Sequence, residues 1–82
     1  MDQATIYAEL TQIFHDVFMR DDIVLKADLS AKDVDGWDSF KMIEIILSTE
    51  EHFGCKIRSS ELDRLQNVGD LVQLIESRAR AA

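Results

Sequence analysis

Proline is absent from this sequence of 82 residues, and glycine occurs only at Gly36, Gly54 and Gly69. A chain with so few breakers favours helices with few sharp turns, and those glycines mark its punctuation. The single cysteine, Cys55, excludes an intramolecular disulfide, and no signal-peptide pattern of basic residues, apolar core and cleavage site occupies Met1 to Leu10. A reducing, cytoplasmic setting is therefore expected. No apolar run approaches the length of a membrane span. Basic residues are also scarce, nine Lys and Arg against sixteen Asp and Glu for a net charge of −7. That balance disfavours nucleic acid and anionic lipid as partners and favours basic protein surfaces. The length suits one small domain and is too short for two.

What is present is apolar periodicity. Over residues 5–19, Ile6, Leu10, Ile13, Phe14, Val17 and Phe18 share one helical face, with Glu9, Gln12 and Asp16 largely opposite. Asp21-Asp22 ends the pattern, and residues 23–37 form a long loop carrying Ile23, Leu25, Leu29 and Val34. Such a loop must be pinned by its own apolar residues, with Leu29 and Trp37 expected among the anchors. A second helix is expected over residues 39–52, with Phe40, Ile43, Ile46, Leu47 and Phe53 as its core stripe and Met42 and Ile45 widening it. Asp38 or Ser39 can cap its start and Gly54 can end it. A short third helix fits residues 60–65, capped by Ser59 or Ser60, with Leu62 and Leu65 facing inward. Asn67-Val68-Gly69-Asp70 resembles a capping-box start for a fourth helix, in which Val68, Leu71, Val72 and Ile75 recur at helical spacing. Arg78 and Arg80 lie near its end, where cations complement the helix dipole, and the Ala81-Ala82 tail is expected to fray.

Ser39 is the leading candidate for chemistry. A serine at a helix start is commonly only a cap, but Asp38 can take that role and leave the hydroxyl free. An anion there would meet free backbone N–H groups and the positive end of the helix dipole. Catalysis by Ser39 itself is disfavoured, because the Gly-x-Ser-x-Gly elbow is missing and nothing poises His15 or His52 against it. A calcium loop is disfavoured too: aligning Gly36 with the invariant glycine of an EF-hand puts Ala31 and Met42 at ligand positions. No Cys/His cluster has metal spacing, and Cys55 reads as a small packing residue. Acidic residues gather around the serine, at Asp33, Asp35, Asp38, Glu44, Glu50 and Glu51, with Lys41 the one Lys or Arg over residues 33–53. Glu44 and Glu51 fall nearly in line on a helix, so this face suits docking to basic partners as well as simple solvation. Two readings stay open at this point: a serine modified by another protein, or a small acidic helical interaction module without a prosthetic group in which Ser39 is only a cap.

With these residues in view, the sequence resembles the acyl carrier protein family, small four-helix carriers of acyl groups. The family's Asp-Ser-Leu hallmark stands here as Asp38-Ser39-Phe40, followed by a Val-Glu-Leu-like Ile43-Glu44-Ile45 and by the Glu-Glu-x-Phe segment Glu50-Glu51-His52-Phe53. The likeness covers nearly the whole chain. It implies an all-α bundle of three longer helices and one short third helix, with a long loop between the first two. It also implies a single carrier domain over residues 1–82, with a tail that frays from about residue 77. On this resemblance Ser39 receives 4′-phosphopantetheine from coenzyme A through a phosphopantetheinyl transferase using magnesium, and the arm's thiol carries acyl groups as thioesters. No catalytic residue and no protein-bound metal are implied. Asp38, Glu44, Glu50 and Glu51 match positions used to meet basic patches on acyl-loading, acyl-transfer or condensing enzymes. Lys41, standing where an acidic residue is common, joins them as a recognition residue. Phe40 in place of leucine, Arg58 in place of a frequent proline, and Trp37 before Asp38 set this chain apart. With the charge reversal at Lys41 they point to a discrete carrier for a dedicated fatty-acid, polyketide or other specialised acyl pathway; a monomer with no nucleic-acid binding and no membrane insertion is expected.

Overall fold

The computed structural model describes the backbone of residues 2–81 and the side chains of residues 2–78. Four helices follow one another, α1 (Gln3–Phe18), α2 (Ser39–Phe53), α3 (Ser59–Leu62) and α4 (Val68–Ala81), with a 3-10 turn at Ala31–Asp33 inside the long first loop. Among the described residues there is no strand, and no helix is long and apolar enough to cross a membrane. The tail expected to fray from about residue 77 continues as helix α4 through Ala81, while Ala82 and the side chain of Arg80 lie outside the described residues, and with them the place of that arginine.

Helix α1 starts where Asp2 Oδ1 accepts the amide of Thr5 at 2.8 Å, a bond that also holds the Asp2 carboxyl below its usual range. It ends at Met19, whose positive φ of 55° lets its amide return to the His15 carbonyl. Its apolar face, Ile6, Leu10, Ile13, Phe14 and Val17, is buried and packs against both α2 and α4. From α4 the same core receives Val68, Leu71, Val72 and Ile75, the four positions expected from their spacing. Cys55 and Ile57 also belong to this core, and burial pushes the Cys55 thiol pKa up. Glu9 departs from the expected solvent side: it turns toward α2, where its carboxylate lies 3.3 Å from His52 Nε2.

The face of α2 is the main correction to the sequence reading. Ile45, Ile46, Thr49 and Phe53 point into the core, with Met42 partly buried beside them. Phe40, Ile43 and Leu47, expected in that core, are instead 76%, 53% and 60% exposed. The helix carries more apolar side chains than one face can bury, and contact with α1 selects the side on which Thr49 lies.

The first loop is pinned as expected, by Ile23 and Val34 in the core and by Leu29 and Trp37 packed against it. Trp37 stands edge-on to Phe14 with ring centroids 5.2 Å apart, and 6.2 Å from Phe18. Backbone ties complete the join: the amides of Val68 and Gly69 donate to the carbonyls of Leu29 and Ala27 at 2.8 and 2.9 Å. Gly69 permits this approach, because a Cβ there would sit 3.0 Å from the Ala27 oxygen. At the same helix start Asn67 Oδ1 accepts the Asp70 amide, while the Asp70 carboxylate reaches back to the amide of Gln66.

Helix α3 is shorter than expected and begins one residue earlier. Neither serine caps it; Arg58 occupies the capping position and Glu61 turns back to accept the Arg58 amide at 3.0 Å. Beyond Leu62 the chain continues in turns to Leu65. A four-residue helix has too few internal bonds to hold itself, so its neighbours must hold it.

Candidate attachment site and docking face

Ser39 is the first residue of α2 and is exposed. The cap is Asp38: its Oδ1 accepts the Lys41 amide at 2.9 Å, and its carbonyl accepts the Met42 amide at 3.0 Å. The Ser39 hydroxyl is thereby spared from capping and has no hydrogen-bond partner among the described residues. Gly36, with φ of 85°, makes the turn that brings the chain into this position. A phosphate on that oxygen would lie beside the first-turn amides of α2 and at the positive end of its dipole, so the local structure fits a phosphodiester.

Beside the serine opens a cavity of about 480 Å³. Its walls come from four segments: Ala31 and Trp37 of the loop, Met42 and Ile43 of α2, Leu62 and Leu65 in and after α3, and Val68 and Leu71 of α4. Asp38, Ser39, Gln66 and Asn67 contribute the polar part of its lining. An apolar pocket of this size with few polar groups suits a hydrocarbon chain.

The expected recognition residues divide by position. Glu51 is exposed and Glu44 half-exposed on the same side of α2 as Phe40, Ile43 and Leu47, so the apolar stripe and its flanking carboxylates form one face. Lys41 is half-buried: its Nζ donates to the Val17 carbonyl at 3.2 Å and lies 3.9 Å from the Glu44 carboxylate. It ties α2 to the end of α1 and tempers the charge of Glu44. Glu50 is likewise engaged, its Oε2 accepting the Ile57 amide at 2.8 Å. The sequence reading missed the exposed stripe, although an excess of apolar residues over one helical face was its signal. It also missed Asp16, which with Val17, Glu44 and Leu47 borders a shallow groove between α1 and α2.

Comparison with known proteins decides the family. The family model for the phosphopantetheine attachment site matches residues 8–75. The chain belongs to the acyl carrier proteins. The acyl carrier protein of Rhodococcus erythropolis is 36% identical over 74 residues, covering 90% of this chain and 81% of that protein. That of Helicobacter acinonychis is 39% identical over 54 residues, covering 66% and 67% respectively. The solution NMR structure of a holo acyl carrier protein from Geobacter metallireducens superposes with a TM-score of 0.87 at 41% identity, over 92% of this chain and 86% of that one. As an acyl carrier protein this chain is a carrier and not an enzyme, and its cofactor is a covalently attached 4′-phosphopantetheine. Its partners accordingly include a phosphopantetheinyl transferase and acyl-handling enzymes.

Proposed function

We propose that Ser39 is the attachment residue, and that the cavity beside it shelters the acyl chain carried on the arm's thiol. The observation that carries this reading is the pairing at the start of α2: Asp38 does the capping, and the freed hydroxyl stands at the mouth of an apolar cavity. Attachment joins Ser39 Oγ to the phosphorus of the phosphopantetheine moiety of coenzyme A and releases adenosine 3′,5′-bisphosphate, with the hydroxyl proton passing to the transferase. The bound arm supplies a thiol for thioester formation. The protein's own contribution is to present the hydroxyl, receive the chain and offer a docking face.

That face combines Phe40, Ile43 and Leu47 with Glu44 and Glu51, and its chemistry complements an enzyme surface with an apolar depression ringed by Lys or Arg. Asp38, Lys41 and Glu50 contribute less directly, because each is engaged with its own chain. Phe40, bulkier than the leucine of the family hallmark and beside the serine, favours service in a dedicated pathway over general fatty-acid synthesis. The reading includes one carrier domain acting as a monomer in the cytoplasm.

Intact mass after incubation with coenzyme A, magnesium and a broad-specificity transferase tests the attachment. Wild type is expected to gain one phosphopantetheine and Ser39→Ala none. An unchanged wild-type mass would refute the assignment and return the acidic interaction module as the better reading, whereas equal addition to Ser39→Ala would move the attachment to another residue.

A further inference from the structure

The wall of the cavity formed by α3 is held differently from the others. Helix α1 packs broadly on α2 and α4, whereas α3 has only four helical residues and sends one of them, Leu62, partly inward, followed by Leu65 in the next turn. Those two half-buried leucines are the same residues that line the cavity. A guest in the cavity therefore lies against these two leucines, and the position of α3 decides how far it is enclosed.

Besides the Ile57 amide held by Glu50 just before α3, two polar ties around this helix converge on Arg78 of α4. Its Nη1 donates to the Lys56 carbonyl at 3.0 Å, just before α3, and its Nη2 donates to the Glu61 carboxylate within α3. Glu61 also accepts the Arg58 amide, so the same carboxylate holds the helix start and the arginine. The two side chains are 34% and 19% exposed, which places the pair in partial shelter from solvent. One guanidinium thus clasps the chain at two points around the start of α3, and Arg78 is not part of the cavity lining.

We propose that the Arg78–Glu61 pair is a latch that keeps α3 closed over the acyl chain, making Arg78 a positioning residue that protects the thioester cargo without touching it. This rests on the reading that the cavity shelters the chain. Loosening the latch raises the fraction of time that α3 stands open, and a long chain then leaves the cavity and exposes its thioester. A chain too short to fill the cavity gains nothing from the latch.

Octanoyl and acetyl groups loaded separately on the arm distinguish these cases when thioester release by hydroxylamine is timed. Wild type is expected to release octanoyl more slowly than acetyl. In Arg78→Ala and in Glu61→Gln, octanoyl release should rise roughly threefold to tenfold, the population shift expected of one partly sheltered ion pair, with acetyl release unchanged. The double variant should be no faster than Arg78→Ala, which already loses both ties, and Arg78→Lys should recover part of the protection. Glu61→Gln retains an oxygen for the Arg58 amide, so it carries the test if Arg78→Ala fails to fold. Unaltered octanoyl release in folded Glu61→Gln, or equal acceleration of both thioesters, overturns the latch while leaving the sheltering cavity intact. Equal release of octanoyl and acetyl by wild type would instead overturn the sheltering reading, and the latch with it.

Discussion

Two isoleucines two residues apart on α2 provide a sensitive test of the fold. Ile45 is fully buried against α1, and Ile43 is 53% exposed beside the cavity mouth. Truncating Ile45 to alanine removes three carbon groups from the core, worth about 2.4 kcal/mol at about 0.8 kcal/mol each. The void left behind brings the loss toward 3–5 kcal/mol, roughly. Half of the Ile43 side chain is already in water, so its truncation forfeits about 1 kcal/mol of burial and leaves no enclosed void. Alanine's better helix propensity returns about 0.4 kcal/mol, leaving Ile43→Ala within about 1 kcal/mol of wild type. In a domain of this size each kcal/mol moves the thermal midpoint by about 4–8 °C, so Ile45→Ala should melt more than 10 °C below wild type, roughly. Ile43→Ala should melt within a few degrees of it. Urea denaturation with unchanged slope checks that the same transition is being compared. Equal losses in the two variants, or a larger loss for Ile43→Ala, would show that α2 faces the other way and that Phe40 and Leu47 are core residues.

Gly69→Ala gains helix propensity, but its Cβ would stand 3.0 Å from the Ala27 carbonyl oxygen and 3.1 Å from the Ala27 Cβ; a net loss of about 1 kcal/mol is expected, and a midpoint at or above wild type would mean that the loop moves aside freely. Glu51→Lys should leave helical circular dichroism intact and slow association with a basic acyl-transfer enzyme, the difference shrinking as salt is raised; a loss of helicity would place Glu51 in a structural role instead. The Arg58 amide, and after it Arg78, hold the Glu61 carboxyl below the usual glutamate range, so its contribution to stability is complete above that range and disappears as pH falls through the lowered value. The stability gap between wild type and Glu61→Gln should therefore be widest near neutrality and narrow below about pH 4; a gap independent of pH would remove the charge from the account.

Local signals and long-range contacts divide what was legible before the structure. The burial of Val68, Leu71, Val72 and Ile75 could be read directly, because their spacing admits only one inward face. The Asp38 cap and the Gly54 stop were also local facts, settled by side-chain reach and by a φ of 65° that glycine tolerates. Helix α2 was ambiguous for the opposite reason: apolar residues at 40, 42, 43, 45, 46 and 47 support several faces, and only packing against α1 chooses among them. The cavity could not be foreseen, since Ala31, Ile43, Leu62 and Val68 meet only when four segments assemble. The engagement of Lys41 and Glu50 was hidden likewise, because the Val17 carbonyl and the Ile57 amide that hold them are supplied by other parts of the chain.

The uncovered stripe of α2 carries a cost that its carboxylates help to manage. Phe40, Ile43 and Leu47 offer sticky surface at the place where the serine must stay reachable. Two copies pressed together along that stripe would set Glu44 and Glu51 of one against those of the other, on bodies each carrying −7. Homotypic contact is therefore penalised by the same charges that attract a basic enzyme. The arrangement is an electrostatic password: it keeps a crowded pool of carriers apart while leaving the adhesive strip open to surfaces of opposite sign.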